Sequence, residues 1–369
     1  MKRKTISSLL FGTMPAKIRA ALDIVYSVYE SRANKWGRNV VESVDVVRRG
    51  GHEIYDINAL PFEGGRREMS FPARFAFVVK DAVVSVQRGR VRAGGRWLGE
   101  SFGNPFGASC EVFCYKFFWW MSKLFCRTLR LPSNGEDGYV LCRFDGYFHF
   151  VAESLVTLLY SLKMKPNACV VVCRNDYERV RYFREYLGML KEQGKIRDLQ
   201  LVDADFVSVE RLVFTAFEPD AGMLCKESVC LLEETFRNML TKQGGKRVFL
   251  TRKGRRKFDN QDEIESTMRD LGLDVEDTDG MSVGEQMELF GTSDLIVSNH
   301  GAGLTNLVWG RPGTTVVELF SEKWPNDCYF RLATLKGMRY RSMMANPSDG
   351  WGVVDCDRLR TIFEELVER

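Results

Sequence analysis

The stretch of residues 292–319 constrains the fold of this chain more than any other part of the sequence. It opens with the short apolar run at 295–297, which predicts a buried parallel strand. A glycine-containing turn at 298–303 follows, and then residues with the spacing of the first turns of a helix. Residues 314–319 are rich in β-branched side chains and predict a second strand. A strand, turn, helix and strand in this order form the repeating unit of a parallel α/β sheet.

The glycines of this turn allow two interpretations. They fit an ordinary structural βαβ turn, and they equally allow backbone N–H groups at a helix N-terminus to approach an anion such as a phosphate. The polar residues around the turn favour the second interpretation, because polar side chains at strand ends gather where α/β folds bind ligands. These residues are His300, Thr305, Asn306 and Glu318.

The composition indicates a soluble globular protein rather than a specialised class. A chain of 369 residues is long for one core and predicts two domains. The net charge of +4 is too small to indicate nucleic-acid binding. The ten cysteines form no CxxC motif, and several lie inside apolar runs, so we expect buried thiols in a reducing, cytoplasmic compartment and no metal site.

The N-terminal segment at 1–36 is basic and then apolar. Its apolar part is too short and too charged to span a bilayer. Residues 15–29 have helical spacing, which fits either a helix docked on the protein or an interfacial helix that gives peripheral membrane contact. The aromatic run at 111–131 predicts buried core or an interfacial patch.

Strand and helix patterns alternate over 139–217 and again from 247 onward, which predicts two parallel sheets. Short strands over 74–98, separated by charged or glycine-rich turns, predict a β-meander. Asn260 stands where a helix begins and Glu263 is placed to complete a capping box. The predicted organisation is an N-terminal helix and irregular segment (1–65), a Rossmann-like domain with the meander (66–220), a second Rossmann-like domain (221–350) and a C-terminal helix (351–369).

Two further positions suggest chemistry. His149 and Glu153 are four residues apart near the start of a predicted helix, so they share one face. Such a pair is usually a surface pair, but near a phosphate turn of another domain it becomes a candidate general base. Arg252 leaves its strand at the same sheet edge as the glycine turn, where its planar fork could pair with a diphosphate.

Together these residues resemble glycosyltransferase family 61. The resemblance rests on HGAGLTN at 300–306 followed by RPGTTVVEL at 311–319. Leu250-Thr251-Arg252 with Asn260 is similar to the strand-end arginine and downstream asparagine of that family. Tyr147-Phe148-His149 with Glu153 is similar to its His-x-x-x-Asp/Glu segment.

The resemblance implies a GT-B fold, in which two Rossmann-like domains face each other across a nucleotide-sugar cleft. It also implies an inverting glycosyltransferase that needs no metal or other cofactor and uses a nucleotide sugar, with UDP as the expected nucleotide. Glu153 is the first choice for the base and His149 the second. The expected donor-binding residues are Arg252, Asn260, His300, Gly301, Ala302, Gly303, Leu304, Thr305, Asn306 and Glu318, with Glu318 accepting hydrogen bonds from ribose hydroxyls.

Two other functions stay open at this stage. The same fold could be a nucleotide- or glycan-binding module that has lost the transfer chemistry. A peripheral membrane scaffold would rest on residues 1–36 and the aromatic run alone. For an enzyme, those features would instead keep it near a glycan or lipid-linked oligosaccharide acceptor.

Overall fold

The computed structural model describes residues 41–48, 51–63, 65, 67–71, 74–94, 96–97, 126–216, 224–240, 243–254 and 256–367. The predicted N-terminal helix at 15–29 and most of the aromatic run at 111–131 lie outside these residues. The statements below concern the described residues.

The protein is a mixed α/β structure. In chain order its strands are β1 (Val41–Arg48), β2 (Gly51–Ile54), β3 (Glu68–Phe71), β4 (Arg74–Ser85), β5 (Val91–Ala93), β6 (Arg96–Trp97), β7 (Thr128–Arg130), β8 (Tyr139–Leu141), β9 (Cys169–Cys173), β10 (Leu199–Val202), β11 (Phe206–Thr215), β12 (Lys246–Leu250), β13 (Asp274–Glu276), β14 (Ser293–Asn299), β15 (Thr315–Phe320) and β16 (Arg339–Met344).

The helices are α1 (Tyr147–His149), α2 (Val156–Met164), α3 (Arg174–Arg179), α4 (Arg181–Glu192), α5 (Lys226–Phe236), α6 (Gln261–Asp270), α7 (Val283–Thr292), α8 (Cys328–Leu335) and α9 (Cys356–Val367). A π-helical segment, Phe150–Leu155, joins α1 to α2. Short 3-10 helices cover Ile57–Ala59, Arg237–Met239, Thr278–Gly280 and Ala302–Trp309.

The larger sheet is mixed. Its main path runs β10-β9-β8-β11-β4-β5-β6, and β1 and β7 pair with β4 and β11. The pairs among β10, β9, β8 and β11 are parallel, whereas β4 pairs antiparallel with β11. The alternation at 139–217 therefore gives parallel strands, as predicted. The sequence CVVVC of β9 is apolar throughout because a central parallel strand is covered on both faces.

One prediction about the N-terminal half is wrong and another is confirmed with a difference. The segment 1–65 was expected to contain a helix and otherwise irregular chain, but β1 lies in it and pairs with β4 in the larger sheet. The predicted meander over 74–98 is present, since β4, β5 and β6 pair antiparallel in chain order. Its first strands are one continuous strand, β4, which turns through the positive φ of 47° at Asp81 and pairs along its length with β11.

The smaller sheet contains the strand, turn, helix and strand of residues 292–319. Its order is β13-β12-β14-β15-β16, and every pair is parallel. The carboxyl ends of β12, β14, β15 and β16 therefore lie along one edge, which is where open α/β sheets place their ligands. The predicted parallel strands at 295–297 and 314–319 are confirmed as β14 and β15.

Several helix predictions need correction. The residues after the glycine turn form a 3-10 helix, Ala302–Trp309, rather than an α-helix. The segment between β9 and β10 forms two helices, α3 and α4, which are separated at Val180, whose backbone is extended. α6 begins after Asn260, but the Asn260 side chain makes no capping hydrogen bond. Ser282 does cap α7, and Glu285 completes the capping box there.

A shared apolar core connects the helices of the two sheets. Tyr186 of α4 lies with its ring centroid 6.2 Å from that of Trp309, and the Trp309 indole N–H donates to the Tyr186 hydroxyl at 3.2 Å. Phe236 of α5 contacts both rings. Burial of such large aromatic side chains is the main stabilising contribution in a core of this kind. Within the described part of the chain, no helix combines the length and the apolar character needed to cross a membrane.

Candidate active site

Arg252 and the glycine turn are in direct contact. Arg252 follows the carboxyl end of β12, and its Nη1 donates to the carbonyl oxygen of His300 at 3.4 Å. A Cβ atom on Gly301 would lie 1.7 Å from that same Nη1. A side chain at position 301 would therefore displace the Arg252 guanidinium group from its place beside the turn. From the sequence, this glycine was explained by the approach of backbone N–H groups to an anion. The contact with Arg252 is a second reason for a residue without a side chain.

Burial affects the charge state of Arg252. Desolvation lowers the pKa of its guanidinium from the usual value, and the nearby positive charge of Arg256 lowers it further. An arginine so placed still carries its charge. Such a group is well suited to bind an anionic ligand.

His300 lies at the carboxyl end of β14 and is held by Glu318. Its Nδ1 is 2.5 Å from Glu318 Oε1, and the hydroxyl of Tyr340 donates to Glu318 Oε2 at 2.5 Å. Glu318 is fully buried, with 0% of its surface exposed. The prediction that Glu318 accepts hydrogen bonds from ribose hydroxyls does not hold in this structure, since both carboxylate oxygens have partners inside the protein. Glu318 instead fixes the orientation of the His300 ring.

The buried carboxylate also acts on Tyr340. Burial raises the pKa of the Tyr340 phenol well above its ordinary value, and the charge of Glu318 raises it further. The phenol therefore stays protonated and donates its hydrogen bond to the carboxylate. The sequence offered no motif that identifies Tyr340, although its strand was predicted.

Asn306 connects the two sheets of the protein. Its Oδ1 accepts a hydrogen bond from the Tyr147 hydroxyl at 2.6 Å, and its Nδ2 donates to Gln286 Oε1 at 2.7 Å. The Asn306 and Thr305 side chains are completely buried, as is Leu304. Of the predicted donor-binding residues in this segment, Ala302 and Gly303 keep intermediate exposure. Asn306 thus joins the His149 region to the glycine turn, a role that the motif alone did not reveal.

The predicted pair of His149 and Glu153 forms as expected. His149 Nδ1 lies 2.9 Å from Glu153 Oε1, and the two side chains are 41% and 12% exposed. Glu153 lies in the π-helical segment, and π-helical turns are frequent at functional sites. The second oxygen of Glu153 is 3.9 Å from Nη2 of Arg143, which follows β8. Arg143 was not identified as a site residue from the sequence. It could have been, because polar side chains at the carboxyl ends of parallel strands gather where α/β folds bind ligands, and Arg143 follows β8.

A row of aromatic contacts connects this pair to the glycine turn. The Phe148 ring lies 5.5 Å from the His149 ring and 5.7 Å from the ring of Tyr329 in α8. The Tyr329 ring in turn lies 5.2 Å from that of His300. The structure therefore brings the two predicted parts of the site together through Phe148 and Tyr329. No local pattern in the sequence pointed to Tyr329.

Asn260 is placed differently from the other predicted donor-binding residues. Its Nδ2 donates to the carbonyl oxygen of Val354 at 2.8 Å, and its Oδ1 accepts from the Val354 N–H at 3.0 Å. The side chain thus binds the segment that precedes α9. Its amide groups are used for this tertiary contact, which also explains why they do not cap α6.

The ionisation of His149 gives a first testable prediction. The hydrogen bond that His149 donates to Glu153 raises the pKa of His149 above its ordinary value of 6.5, against the opposing effect of burial. A group whose pKa is raised in the folded state stabilises the fold. This stabilisation is complete below the pKa of the unfolded state and is lost as pH rises through the pKa of the folded state. We expect the urea midpoint of the wild type to exceed that of His149→Gln most at acidic pH.

The measurement is the difference between the two midpoints across the range from below to above the ordinary histidine value. We expect this difference to shrink as pH rises. A gap that is constant or widens with pH would contradict the assignment of the His149–Glu153 hydrogen bond.

The geometry defines a class of protein. It is an α/β protein with one mixed and one parallel sheet, whose candidate site lies at the carboxyl edge of the smaller, parallel sheet, beside a histidine–carboxylate pair from the larger one. In the described residues, no group of three or more His, Cys, Asp or Glu side chains is arranged to hold a metal ion.

Comparison with known proteins shows what the chain is similar to. Residues 147–317 match the family described as Glycosyltransferase 61. The chain is also 29% identical over 86 residues to a beta-1,2-xylosyltransferase of Arabidopsis thaliana, a match that covers 23% of this chain. The matched stretch spans 16% of the length of that relative. The matched family region begins at Tyr147 and ends one residue before Glu318, so it includes nearly all of the candidate site.

Proposed function

We propose that this protein is an inverting, metal-independent glycosyltransferase that moves a sugar from a nucleotide sugar to a hydroxyl of a glycan or lipid-linked glycan. The observation that carries the proposal is that a row of ring contacts links two chemically different groups. Arg252 and His300 at the glycine turn suit an anionic leaving group. The His149–Glu153 pair suits a proton acceptor, and Phe148 and Tyr329 connect the two.

The donor side of the proposed site stabilises the departing diphosphate. Arg252 supplies a partly buried positive charge, and His300 is held in one orientation by Glu318. Fixed groups of this kind stabilise charge that develops in the transition state without having to reorganise. We assign the diphosphate to the space in front of the turn at Gly301, with the two sheets arranged as the facing domains of a GT-B enzyme.

The acceptor side supplies the base. In the proposed step the acceptor oxygen attacks the anomeric carbon from the face opposite the diphosphate, and the bond from that carbon to the leaving oxygen breaks. The proton of the acceptor hydroxyl passes to a carboxylate oxygen of Glu153, and the nucleoside diphosphate leaves with the electron pair. Because the attack is a single in-line displacement, the configuration at the anomeric carbon is inverted. His149 is the second candidate for this proton.

The nucleotide and sugar are open to a direct test. We expect UDP as the nucleotide, and the name of the Arabidopsis relative places UDP-xylose first in a panel of nucleotide sugars. Hydrolysis of the donor in the absence of acceptor, followed by chromatography of the released nucleotide, distinguishes an enzyme from a nucleotide-binding module. Release of no nucleotide from any donor that binds would favour the binding module. The cytoplasmic location and the membrane contact of residues 1–36 stay predictions.

Removal of Arg252 tests the donor side. We expect Arg252→Ala to weaken UDP binding by about ten- to hundredfold, because a hydrogen bond to a charged group contributes about 1.5–3 kcal/mol. Isothermal titration calorimetry with UDP measures this change. Arg269→Ala is the matched control, since Arg269 pairs with Glu265 on the surface of α6. Equal UDP affinity in the Arg252 variant and the wild type would remove Arg252 from the site.

A further inference from the structure

Three loops meet beside the candidate site. They follow β12, β15 and β16, and because these strands are parallel within one sheet, the loops leave it at the same edge. The first carries Arg252 and Arg256, the second Trp324 and the third Trp351. None of these residues apart from Arg252 was assigned a role above.

Arg256 lies between the two tryptophans. Its guanidinium carbon is 4.6 Å from the centre of the Trp324 ring and 5.8 Å from that of Trp351. Indole rings attract a guanidinium group through the negative potential of their faces, and they orient it without neutralising it. Within the described residues, no carboxylate lies at ion-pair distance from Arg256. Its positive charge is therefore held in place without a carboxylate partner in this part of the chain.

The backbone at Arg256 is unusual as well. Its φ angle is 68°, in the left-handed region that a non-glycine residue rarely adopts. Backbone strain of this kind persists where surrounding contacts impose it, and it is concentrated at functional sites. Here the strained conformation carries the Arg256 side chain to the two indole rings.

The surrounding contacts preorganise this arrangement. Asp259 accepts a hydrogen bond from the backbone N–H of Trp351 at 3.0 Å and another from the Ser348 hydroxyl. Lys323, the neighbour of Trp324, donates to the carbonyl oxygen of Asp349 at 2.8 Å. The three loops are thus fastened to one another. Trp324 is nevertheless 50% exposed, so the group formed by Arg256, Trp324 and Trp351 is accessible from outside the protein.

We propose that Arg256 is a second cation for the diphosphate of the donor, held for that purpose between Trp324 and Trp351. This inference rests on the proposed function, because it needs a nucleoside diphosphate at the glycine turn. Arg252 and Arg256 are four residues apart on one loop, and a diphosphate carries several negative charges that two planar guanidinium groups can share. Burial lowers the pKa of Arg252 most, and the charge of Arg256 lowers it further, so the two arginines repel each other in the free protein. An anion between them removes that repulsion.

The test compares ligands with and without phosphate. We expect Arg256→Gln to weaken the binding of UDP and of inorganic pyrophosphate by about tenfold or more in calorimetry, and to leave the binding of uridine unchanged. Arg256→Lys keeps the charge but loses the planar fork, so it should recover part of the affinity. Lys257→Gln is the matched control, because it removes one positive charge from the next residue, whose partner is Asp262.

Each other outcome has a distinct meaning. If Arg252→Ala weakens UDP binding and Arg256→Gln does not, this inference is wrong and the proposed function stands. If Arg256→Gln weakens uridine and UDP equally, the residue acts on the nucleoside, which also overturns the inference. If the wild type binds neither UDP nor pyrophosphate, the proposed donor site and the inference fail together. Thermal unfolding without ligand checks that each variant is folded.

Discussion

Replacement of Glu153 by glutamine should reduce turnover by about a hundred- to ten-thousandfold, the range expected when a general base is lost. The amide keeps the size of the side chain but does not accept the proton of the acceptor hydroxyl. Because Glu153 lies on the side of the site opposite Arg252, UDP affinity should stay within about twofold of the wild type. Initial rates of sugar transfer and calorimetry with UDP measure the two quantities separately.

His149 and Arg143 supply the controls for this experiment. If Glu153 is the base, His149→Gln should reduce turnover less than Glu153→Gln, because the imidazole acts on the reaction through the Glu153 carboxylate. Arg143→Gln removes a charge 3.9 Å from the same carboxylate and should shift the pH dependence of turnover rather than abolish it. Near-normal turnover of Glu153→Gln together with inactivity of His149→Gln would reverse the assignment and make His149 the base.

Replacement of Glu318 by alanine should destabilise the protein by about 1–3 kcal/mol for each buried group that loses its hydrogen-bond partner. The substitution leaves the Nδ1 atom of His300 and the hydroxyl of Tyr340 buried without their common partner. It also frees the His300 ring to rotate, so UDP affinity should fall even where the variant is folded. Urea unfolding and calorimetry with UDP measure the two effects.

Tyr340→Phe is the matched variant for this prediction. It removes one hydrogen bond to the Glu318 carboxylate and leaves the bond to His300 in place, so we expect a loss of about 1–1.5 kcal/mol and little change in UDP affinity. Glu318→Gln keeps the shape of the side chain and should remain folded if alanine does not. Wild-type stability and wild-type UDP affinity in both Glu318 variants would show that the buried carboxylate does not position His300.

Much of the candidate site follows from patterns that are local in the sequence. The spacing of four residues between His149 and Glu153 places them on one helical face, and the structure has them hydrogen-bonded. The apolar run before the glycine turn indicated a buried parallel strand, which is β14. Arg252 comes directly after a strand of the same sheet, and the rule that carboxyl ends of parallel strands meet placed it beside the turn.

The type of helix after the glycine turn was not predictable in the same way. Leu304, Leu307, Val308 and Trp309 are all buried, so the segment has no polar face whose period could distinguish a 3-10 helix from an α-helix. The role of Glu318 was predicted incorrectly for a related reason. A glutamate at a strand end is typical of a ligand-binding group. Only the positions of His300 and Tyr340 show that both of its carboxylate oxygens form hydrogen bonds within the protein.

The sequence by itself determined the order of elements, the parallel character of the smaller sheet, the glycine turn with its arginine, and the resemblance to family 61 that the comparison then confirmed. The tertiary structure decided which distant residues meet. The Tyr147 hydroxyl donates a hydrogen bond to Asn306, which lies 159 positions away in the sequence. The rings of Phe148, Tyr329 and His300 form one row of contacts. Local spacing specifies neighbours within a turn or along a strand. Contacts between elements depend instead on how apolar faces pack, and no short pattern in the sequence records that packing.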